Sequence, residues 1–446
     1  MATAFAGAAL LVLLVRAPLL AAETDVYTLE QLIDCAWRRH TDVAEDEWRL
    51  AESRAQLRQA RAAYLLPRLR LESESGLVPD AEGDIFNPPT DTTGMRALGP
   101  FTRLQLEFAQ PLFTFGQLSH NRRAAAAAVE AERARLAGTR LELARQVKRR
   151  YWAVLLAQEL QALIERVQGI IDDRLAAVDE ERVLSLADLY KLRLALLELD
   201  AQRDEVARKL ELARAALAWQ AGLSGADTLR LAADHLEPVD VTVPPLPELV
   251  ERALASRPDW RQLQAGLAAR QEQREAARSA YLPQIYLAGG LRYAVAPGRT
   301  DQHNPFIVDN FNYLNGGVFL GLRQSFEWGL LGAELDKARA RYEGLRAKES
   351  GAAAAIALDV QRACTDYHSA RAQLESRERA RQLGRQWLQE AEDEYDFDHS
   401  TLDDLVDAFK TYAGLEREYQ QAVHDHNVAV ADLERTVGAL MLKAEP

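Results

Sequence analysis

Two patterns of apolar residues alternate along this chain, and each predicts a different structural element. From Gln117 to about Glu181 there is no proline, and apolar residues such as Leu160, Leu163 and Val167 recur every three or four positions. That spacing places them on one face of a helix, where they can pack against a neighbouring helix. The same reasoning predicts helices in the first half of the chain at 28–64, 117–181 and 186–220.

The lengths of these helices indicate an elongated assembly. At 1.5 Å per residue, 117–181 would span roughly 100 Å, and 28–64 together with 186–220 would span about 108 Å. Two shorter helices stacked end to end would therefore match the long one. The sequence predicts a helical tube rather than a compact globule.

Four short segments instead alternate polar and apolar residues with the period of a strand. In the first of them Arg68 and Arg70 lie opposite Leu69 and Leu71. The segments are 68–75, 103–112, 284–293 and 318–326. Strands of about 9–11 residues with one apolar and one polar face fit a membrane barrel with a wet interior. The alternative is an ordinary sandwich whose apolar faces meet a protein core.

Four strands cannot close a barrel, and open strand edges are not tolerated in lipid. Because barrels begin at about eight strands, the chain must oligomerise, as a dimer with eight strands or a trimer with twelve. Alternation alone does not choose between them. Aromatic residues suited to a membrane interface cluster where the strands meet the helices: Tyr64, Phe113, Phe115, Tyr281, Phe326 and Trp328.

An internal duplication organises the chain. Ala63-Tyr64-Leu65 recurs as Ala280-Tyr281-Leu282, and Gly222 recurs as Gly438, at a nearly constant separation. The repeated unit is far longer than that of a solenoid, and a segment rich in proline separates the two copies. The predicted organisation is a signal peptide at 1–22, a first repeat at 23–223, a linker at 224–245 and a second repeat at 246–446.

The N-terminus predicts export. Residues 1–22 combine an apolar run with small residues before Glu23, as in a secretory signal peptide. An N-terminal membrane anchor is the alternative, although the run from Ala2 to Val15 is short for a spanning helix. No later stretch approaches the ~20 consecutive apolar residues that such a helix needs. We therefore expect an exported chain that enters a membrane as strands.

Composition removes several classes of function. The net charge of -13 argues against binding to nucleic acid. The sequence has only two cysteines, so it predicts no disulfide framework and no thiolate metal site. It also contains no nucleophile motif, phosphate loop or zinc pattern. We expect neither an enzyme nor a protein with a cofactor or a bound metal.

Three motifs, in both halves, carry a resemblance to a known family. They are Gln110-Pro111-Leu112-Phe113 followed by Phe115-Gly116, then Ala280-Tyr281-Leu282-Pro283-Gln284-Ile285, and finally the run from Ser400 to Ala408. In their order and spacing they resemble the TolC family of outer-membrane efflux channels, over nearly the whole mature chain. The resemblance implies an α+β membrane protein: a homotrimer whose four strands per protomer form a shared twelve-stranded barrel, continued by a long α-helical coiled-coil tunnel in the periplasm.

The same resemblance implies function and partners. Such a channel lies in outer-membrane lipid and acts as the passive exit duct of a tripartite efflux or type I secretion system. Its partners would be a periplasmic adaptor and an inner-membrane pump. The sequence names neither the solute nor the class of pump. A soluble periplasmic coiled-coil adaptor or scaffold is the alternative, although an adaptor has one helical hairpin between compact β-domains rather than two duplicated halves.

By resemblance, the gate of the channel maps onto an acidic part of the second half. The family's ring of carboxylates at the constriction corresponds to Asp404 and Asp407, which are three apart and hence on one helix face. The contact that ties inner and outer hairpins corresponds to Tyr395 and Asp188. The alternative is that this acidic run is a solvated helix surface.

The helix-hairpin tips, where the resemblance places the adaptor contact, are near 182–186 and 398–402. Their candidate contact residues are Arg182, Leu184, Ser185, Asp398, His399 and Ser400. The chain departs from the family here, because the usual tip glycines are replaced by Arg182 and Asp398. Arginine adopts positive φ poorly, so these changes put the closed-state contacts in question.

Overall fold

The computed structural model describes residues 26–83, 97–177, 186–223, 229–302, 304, 306–397 and 401–439. The predicted signal peptide lies outside the described residues. The chain divides into two compact units. The first comprises the described parts of Met1–His40, Leu143–Asp240 and Asp366–Asp432, and the second comprises those of Thr41–Glu142, Val241–Thr365 and Leu433–Pro446.

Helices account for most of the described residues. The helices are α1 (Leu29–Arg39), α2 (Thr41–Leu65), α3 (Gln117–Ala177), α4 (Leu186–Gln220), α5 (Leu246–Ser256), α6 (Pro258–Ser279), α7 (Trp328–Asp396) and α8 (Leu402–Val437). The strands are β1 (Val26–Tyr27), β2 (Arg68–Pro79), β3 (Leu98–Phe113), β4 (Arg230–Leu231), β5 (Gln284–Val295) and β6 (Tyr313–Arg323). Within the described ranges, no helix has both the length and the hydropathy required to cross a membrane.

The two halves of the chain follow one plan, as the duplication predicts. Each has two shorter helices, two long strands, a very long helix and a further helix. The very long helices α3 and α7 contain 61 and 69 residues. The predicted single helix at 28–64 is instead two helices, because His40 takes an extended conformation with ψ 136°. Arg257 likewise takes an extended conformation and separates α5 from α6. The cause is Pro258, because proline disfavours helical geometry in the residue before it.

The last helix of each half ends at a position whose backbone conformation suits glycine alone. Gly222 has φ +67° and Gly438 has φ +83°, a region that side chains with a Cβ rarely adopt. Both helix ends close with a bond that returns to the final turn: Leu223 donates to the Ala218 carbonyl at 2.9 Å, and Ala439 donates to the Glu434 carbonyl at 3.2 Å. These are Schellman-type ends, which satisfy carbonyls that the helix leaves unpaired.

The four long strands form one antiparallel sheet in the order β2-β3-β5-β6. The first half of the chain supplies the hairpin β2–β3 and the second half supplies β5–β6, so the β3–β5 pair joins the two halves. The register shifts between Pro111 and Phe113, where proline has no N–H to donate to the ladder. All four predicted strand segments are found. Three extend past their predicted C-terminal ends, whereas β6 begins before 318 and leaves 324–326 outside the strand.

Candidate functional site

The sheet has one polar and one apolar face, as the alternation predicts. In register, Leu71, Leu106 and Leu291 lie in one cross-strand row. Arg70, Glu107 and Gly290 form the adjacent row on the opposite face. The leucines and valines of the apolar face remain exposed in the single chain: Leu69 is 69% exposed, Leu71 63%, Val318 67%, Leu320 68% and Leu322 67%. An exposed apolar surface of this extent requires lipid or protein to cover it.

The polar face carries a net positive charge. Its charged residues are Arg68, Arg70, Arg103, Arg292, Arg323, Glu72, Glu74 and Glu107. Arg103 pairs with Glu74 across the strands, and Arg70 pairs with Glu72 along β2 at 2.5 Å. This face of the sheet therefore carries five arginines and three glutamates, although the whole chain has a net charge of -13.

A cavity of about 600 Å³ lies over this polar face. Arg68, Arg70 and Arg292 line it together with Glu107 and Asn315. Its floor includes the glycine pair Gly290 and Gly317, which face each other in neighbouring strands. Because neither glycine carries a side chain, the backbone itself forms the floor and space remains above it.

The start of α8 contains the predicted acidic pair. Asp404 is the third residue of the helix, and its carboxylate accepts hydrogen bonds from the Thr401 N–H at 3.0 Å and from the Thr401 hydroxyl at 2.6 Å. The Asp404 N–H donates back to the Thr401 Oγ1 at 3.3 Å. This reciprocal arrangement is a capping box, with aspartate in the place of the usual glutamate. The bonds from the Thr401 side chain and backbone lower the pKa of Asp404.

Asp407 lies one turn further along α8. Its side chain is exposed, and among the described residues it makes neither a hydrogen bond nor an ion pair. Asp404 is exposed as well. The two carboxylates therefore differ in role within one chain, because Asp404 stabilises the helix end and Asp407 faces solvent only.

A third acidic residue of this turn makes a contact that the sequence did not indicate. The ammonium group of Lys191, on α4, contacts both carboxylate oxygens of Asp403 at 2.6 and 2.9 Å. This ion pair joins α4 to α8 close to their ends. Both side chains are about half exposed or more, so the pair contributes little to stability.

Tyr395 packs within a small apolar cluster rather than standing in solvent. It contacts the buried group formed by Leu388, Ala391, Leu405 and Ala408. The side chain of Asp188, its predicted partner, lies outside the described residues. So do the candidate tip residues Arg182, Leu184, Ser185, Asp398, His399 and Ser400.

A buried polar cluster in the first unit fixes the segment around Val239 to α8. His426 is 4% exposed, and its Nε2 donates to the Val239 carbonyl at 3.1 Å. The neighbouring Asn427 is fully buried; it accepts from the Val239 N–H at 2.8 Å and donates to the Glu237 carbonyl at 2.8 Å. Burial lowers the pKa of His426. Sequence analysis missed this cluster, because nothing in the local pattern places the linker beside α8.

Comparison with known proteins agrees with this fold. The model of the family "Outer membrane efflux protein" matches residues 32–225 and 249–439, one match in each half. A comparison with curated proteins found no significant match.

Several solved channels share the fold. The open-state outer-membrane channel MtrE of Neisseria gonorrhoeae is 21% identical, with a TM-score of 0.73 over 92% of this chain and 89% of that one. The channel-forming protein CusC is 19% identical, with a TM-score of 0.73 over 92% of each chain. The outer-membrane protein VceC of Vibrio cholerae is 19% identical, with a TM-score of 0.70 over 92% of this chain and 96% of that one.

The family match covers both halves and the sheet that joins them, so the soluble adaptor has no support. The exposed apolar face, the polar face and the paired halves are what an outer-membrane efflux channel requires. This chain belongs to the outer membrane efflux protein family.

Proposed function

We propose that three copies of this chain close a twelve-stranded barrel and serve as the exit duct of a tripartite efflux or type I secretion system. The observation that supports this proposal is the four-stranded sheet with two open edges, a polar face and an exposed apolar face. Open edges are not tolerated in lipid, so copies of the sheet must pair with one another.

Strand direction makes this pairing possible without rearrangement. All neighbouring strands in the sheet are antiparallel, so the edge strands β2 and β6 run in opposite directions. When β6 of one protomer meets β2 of the next, the pair is again antiparallel. The ring therefore closes with one pattern of hydrogen bonds throughout.

In the assembled channel the apolar face contacts lipid and the polar face lines the lumen. In this proposal a periplasmic adaptor and an inner-membrane pump deliver the solute and supply the energy, as the family match implies for components of tripartite efflux systems. At the periplasmic end, three copies each of Asp404 and Asp407 surround the passage. Closely spaced carboxylates attract cations and bind multivalent ones.

The proposal is tested with detergent-purified protein in planar bilayers, with the oligomer measured by light scattering. We expect a trimer that inserts and conducts. Leu71→Arg places a charge on the lipid face, at a cost of about 2–4 kcal/mol if it lies near the bilayer midplane, and should abolish insertion. Asn315→Arg adds the same charge to the polar face and should still insert. A folded monomer that never conducts, or equal behaviour of the two variants, would overturn the proposal.

A further inference from the structure

We propose that the polar face of the sheet holds a binding site for aromatic organic anions. The inference rests on the proposed channel, in which this face lines the lumen, and it names the class of solute that the lumen retains during transit. It starts from the cavity of about 600 Å³ over the face, a volume typical of small-molecule sites.

The charges around the cavity favour an anion. Of its three arginines, Arg70 is paired with Glu72 at 2.5 Å. Arg68 and Arg292 have no carboxylate partner among the described residues, and both are exposed. Glu107 is the one acidic residue of the lining, and it already accepts a hydrogen bond from Gln105 at 2.5 Å. Two guanidinium groups are therefore available to bind carboxylate, sulfonate or phosphate oxygens.

The remaining lining favours an aromatic ligand. Phe319 lines the cavity in the same cross-strand row as Arg68, Ala109 and Ala288, and it is 56% exposed. Phe319 and Arg68 lie on the two edge strands, at opposite sides of the cavity. The ring can therefore stack on a planar ligand that spans the cavity while the arginines bind its acidic groups. Inorganic anions can bind to the arginines but cannot stack on the ring.

The glycine floor gives the ligand its space. A Cβ added at Gly317 would meet no atom within 4 Å, so this position is open above the backbone. Gly290, its partner in β5, lies beside Glu107 and also has no side chain. Side chains at these two positions would occupy the centre of the cavity. The site therefore combines an open position above Gly317, the exposed ring of Phe319 and two arginines without a carboxylate partner among the described residues.

The test uses naphthalene-1,3,6-trisulfonate as the probe. Its binding to the detergent-purified protein is measured by calorimetry, and its block of single channels is measured from each side of the bilayer. We expect saturable binding and a block that is stronger from one side. In Arg68→Gln/Arg292→Gln both the affinity and the block should fall at least about tenfold, because each lost contact is a charge-assisted hydrogen bond.

Two further variants test whether binding depends on the space within the cavity and whether it depends only on the net charge of the protein. Gly317→Val fills the cavity without removing charge, and we expect a similar loss of binding. Arg54→Gln/Arg58→Gln removes two exposed charges from α2 and should bind as the parent protein does. The cationic dye proflavine should block no less strongly when Arg68 and Arg292 are replaced.

The outcomes distinguish this inference from the proposed function. Channels that conduct but show no trisulfonate block, or the same block in every variant, would overturn the anion site and leave the duct. Protein that never conducts yet binds the probe through Arg68 and Arg292 would overturn the proposed duct and leave the anion site. Equal losses in the α2 control would show attraction by net charge and would also overturn the site.

Discussion

Thr401 and Asp404 bind each other's backbone N–H groups through their side chains at the start of α8, with distances of 3.3 and 3.0 Å. A residue expected to act only as a charge in the gate therefore also determines where the helix begins. Replacing it changes two properties at once, and substitutions must be chosen to separate them.

Asp404→Asn removes the charge and keeps an oxygen that can accept from Thr401, whereas Asp404→Ala removes both. If the proposed carboxylate ring controls the gate, Asp404→Asn/Asp407→Asn should lower single-channel conductance for cations and weaken block by multivalent cations severalfold, because the carboxylates that attract them are neutralised. The matched control is Asp393→Asn, an exposed acidic residue of α7, which should conduct as the parent protein does. Unchanged conductance and block in the double variant would leave the duct intact but remove the gate role from these residues.

Thr401→Ala tests the cap alone. It leaves both carboxylates in place and removes the hydroxyl that accepts from the Asp404 N–H. Hydrogen exchange in the first turn of α8 should accelerate roughly fivefold, as for a typical lost cap. Thr401→Ser retains the hydroxyl and should restore protection. If Thr401→Ala exchanges at the parental rate, the capping box does not stabilise this helix end.

The pKa of Asp404 gives the cap a pH dependence of known sign. Because the Thr401 bonds lower this pKa below its ordinary value of 3.8, the cap's contribution is complete above that value and is lost as the pH falls through the lowered pKa. Protection of the first turn should therefore be constant from pH 7 to about pH 5 and decline only in stronger acid. In Asp404→Asn this decline should disappear.

His426 gives a second pH dependence, in a higher range. Burial lowers its pKa from 6.5, with the Arg371 cation also lowering it and the Val239 carbonyl and Asp240 opposing the shift. Its Nδ1 is buried without a partner among the described residues, so a proton there would be an unpaired buried charge. A group that charges more readily when unfolded costs stability as the pH falls below 6.5.

Hydrogen exchange around Glu237–Val239 should consequently be faster at pH 5 than at pH 7.5. His426→Gln can still donate to the Val239 carbonyl and does not titrate, so it should remove the difference. His424→Gln, which changes the histidine paired with Asp425 at 3.0 Å, is the control and should retain it. Equal exchange rates at both pH values in the parent protein would contradict the assigned role of His426.

The two helix-end glycines should tolerate alanine poorly. A Cβ at Gly222 would lie 2.6 Å from the Arg39 Cβ, and one at Gly438 would lie 2.7 Å from the Arg257 Cα. With the strain of positive φ added, each change to alanine should cost at least about 1 kcal/mol in unfolding free energy. Gly169→Ala, in the interior of α3 with nothing within 4 Å, should instead stabilise by about 1 kcal/mol. Denaturant unfolding in detergent compares the three variants.

The sequence predicted those elements of the fold that have a regular spacing of apolar residues. Alternation located all four long strands and their two faces, because a strand's side chains point to opposite sides in turn. It did not locate the break at His40, since no proline follows that residue as Pro258 follows Arg257. The first half therefore has no proline-type backbone restriction that marks the break in the sequence.

The site was predictable to the extent that it lies within one element. The pair Asp404 and Asp407 follows from helical spacing, and the capping box could have been read from Thr401-Leu402-Asp403-Asp404. The Lys191–Asp403 pair and the cavity beneath Arg68 and Arg292 could not, because each joins segments that are far apart in the chain. Long-range register is the information that single-sequence patterns lack.

The β3–β5 pair has a consequence for how the chain can be divided. These two strands belong to different halves and are not joined by a hairpin turn, yet they pair along eleven positions. Strand pairing between halves thus needs no short connection. In the proposed ring, β6 and β2 of separate copies would pair in the same way. A chain cut within 224–245 should therefore still assemble from its two fragments, because the β3–β5 pair depends on backbone hydrogen bonds rather than on a short covalent connection.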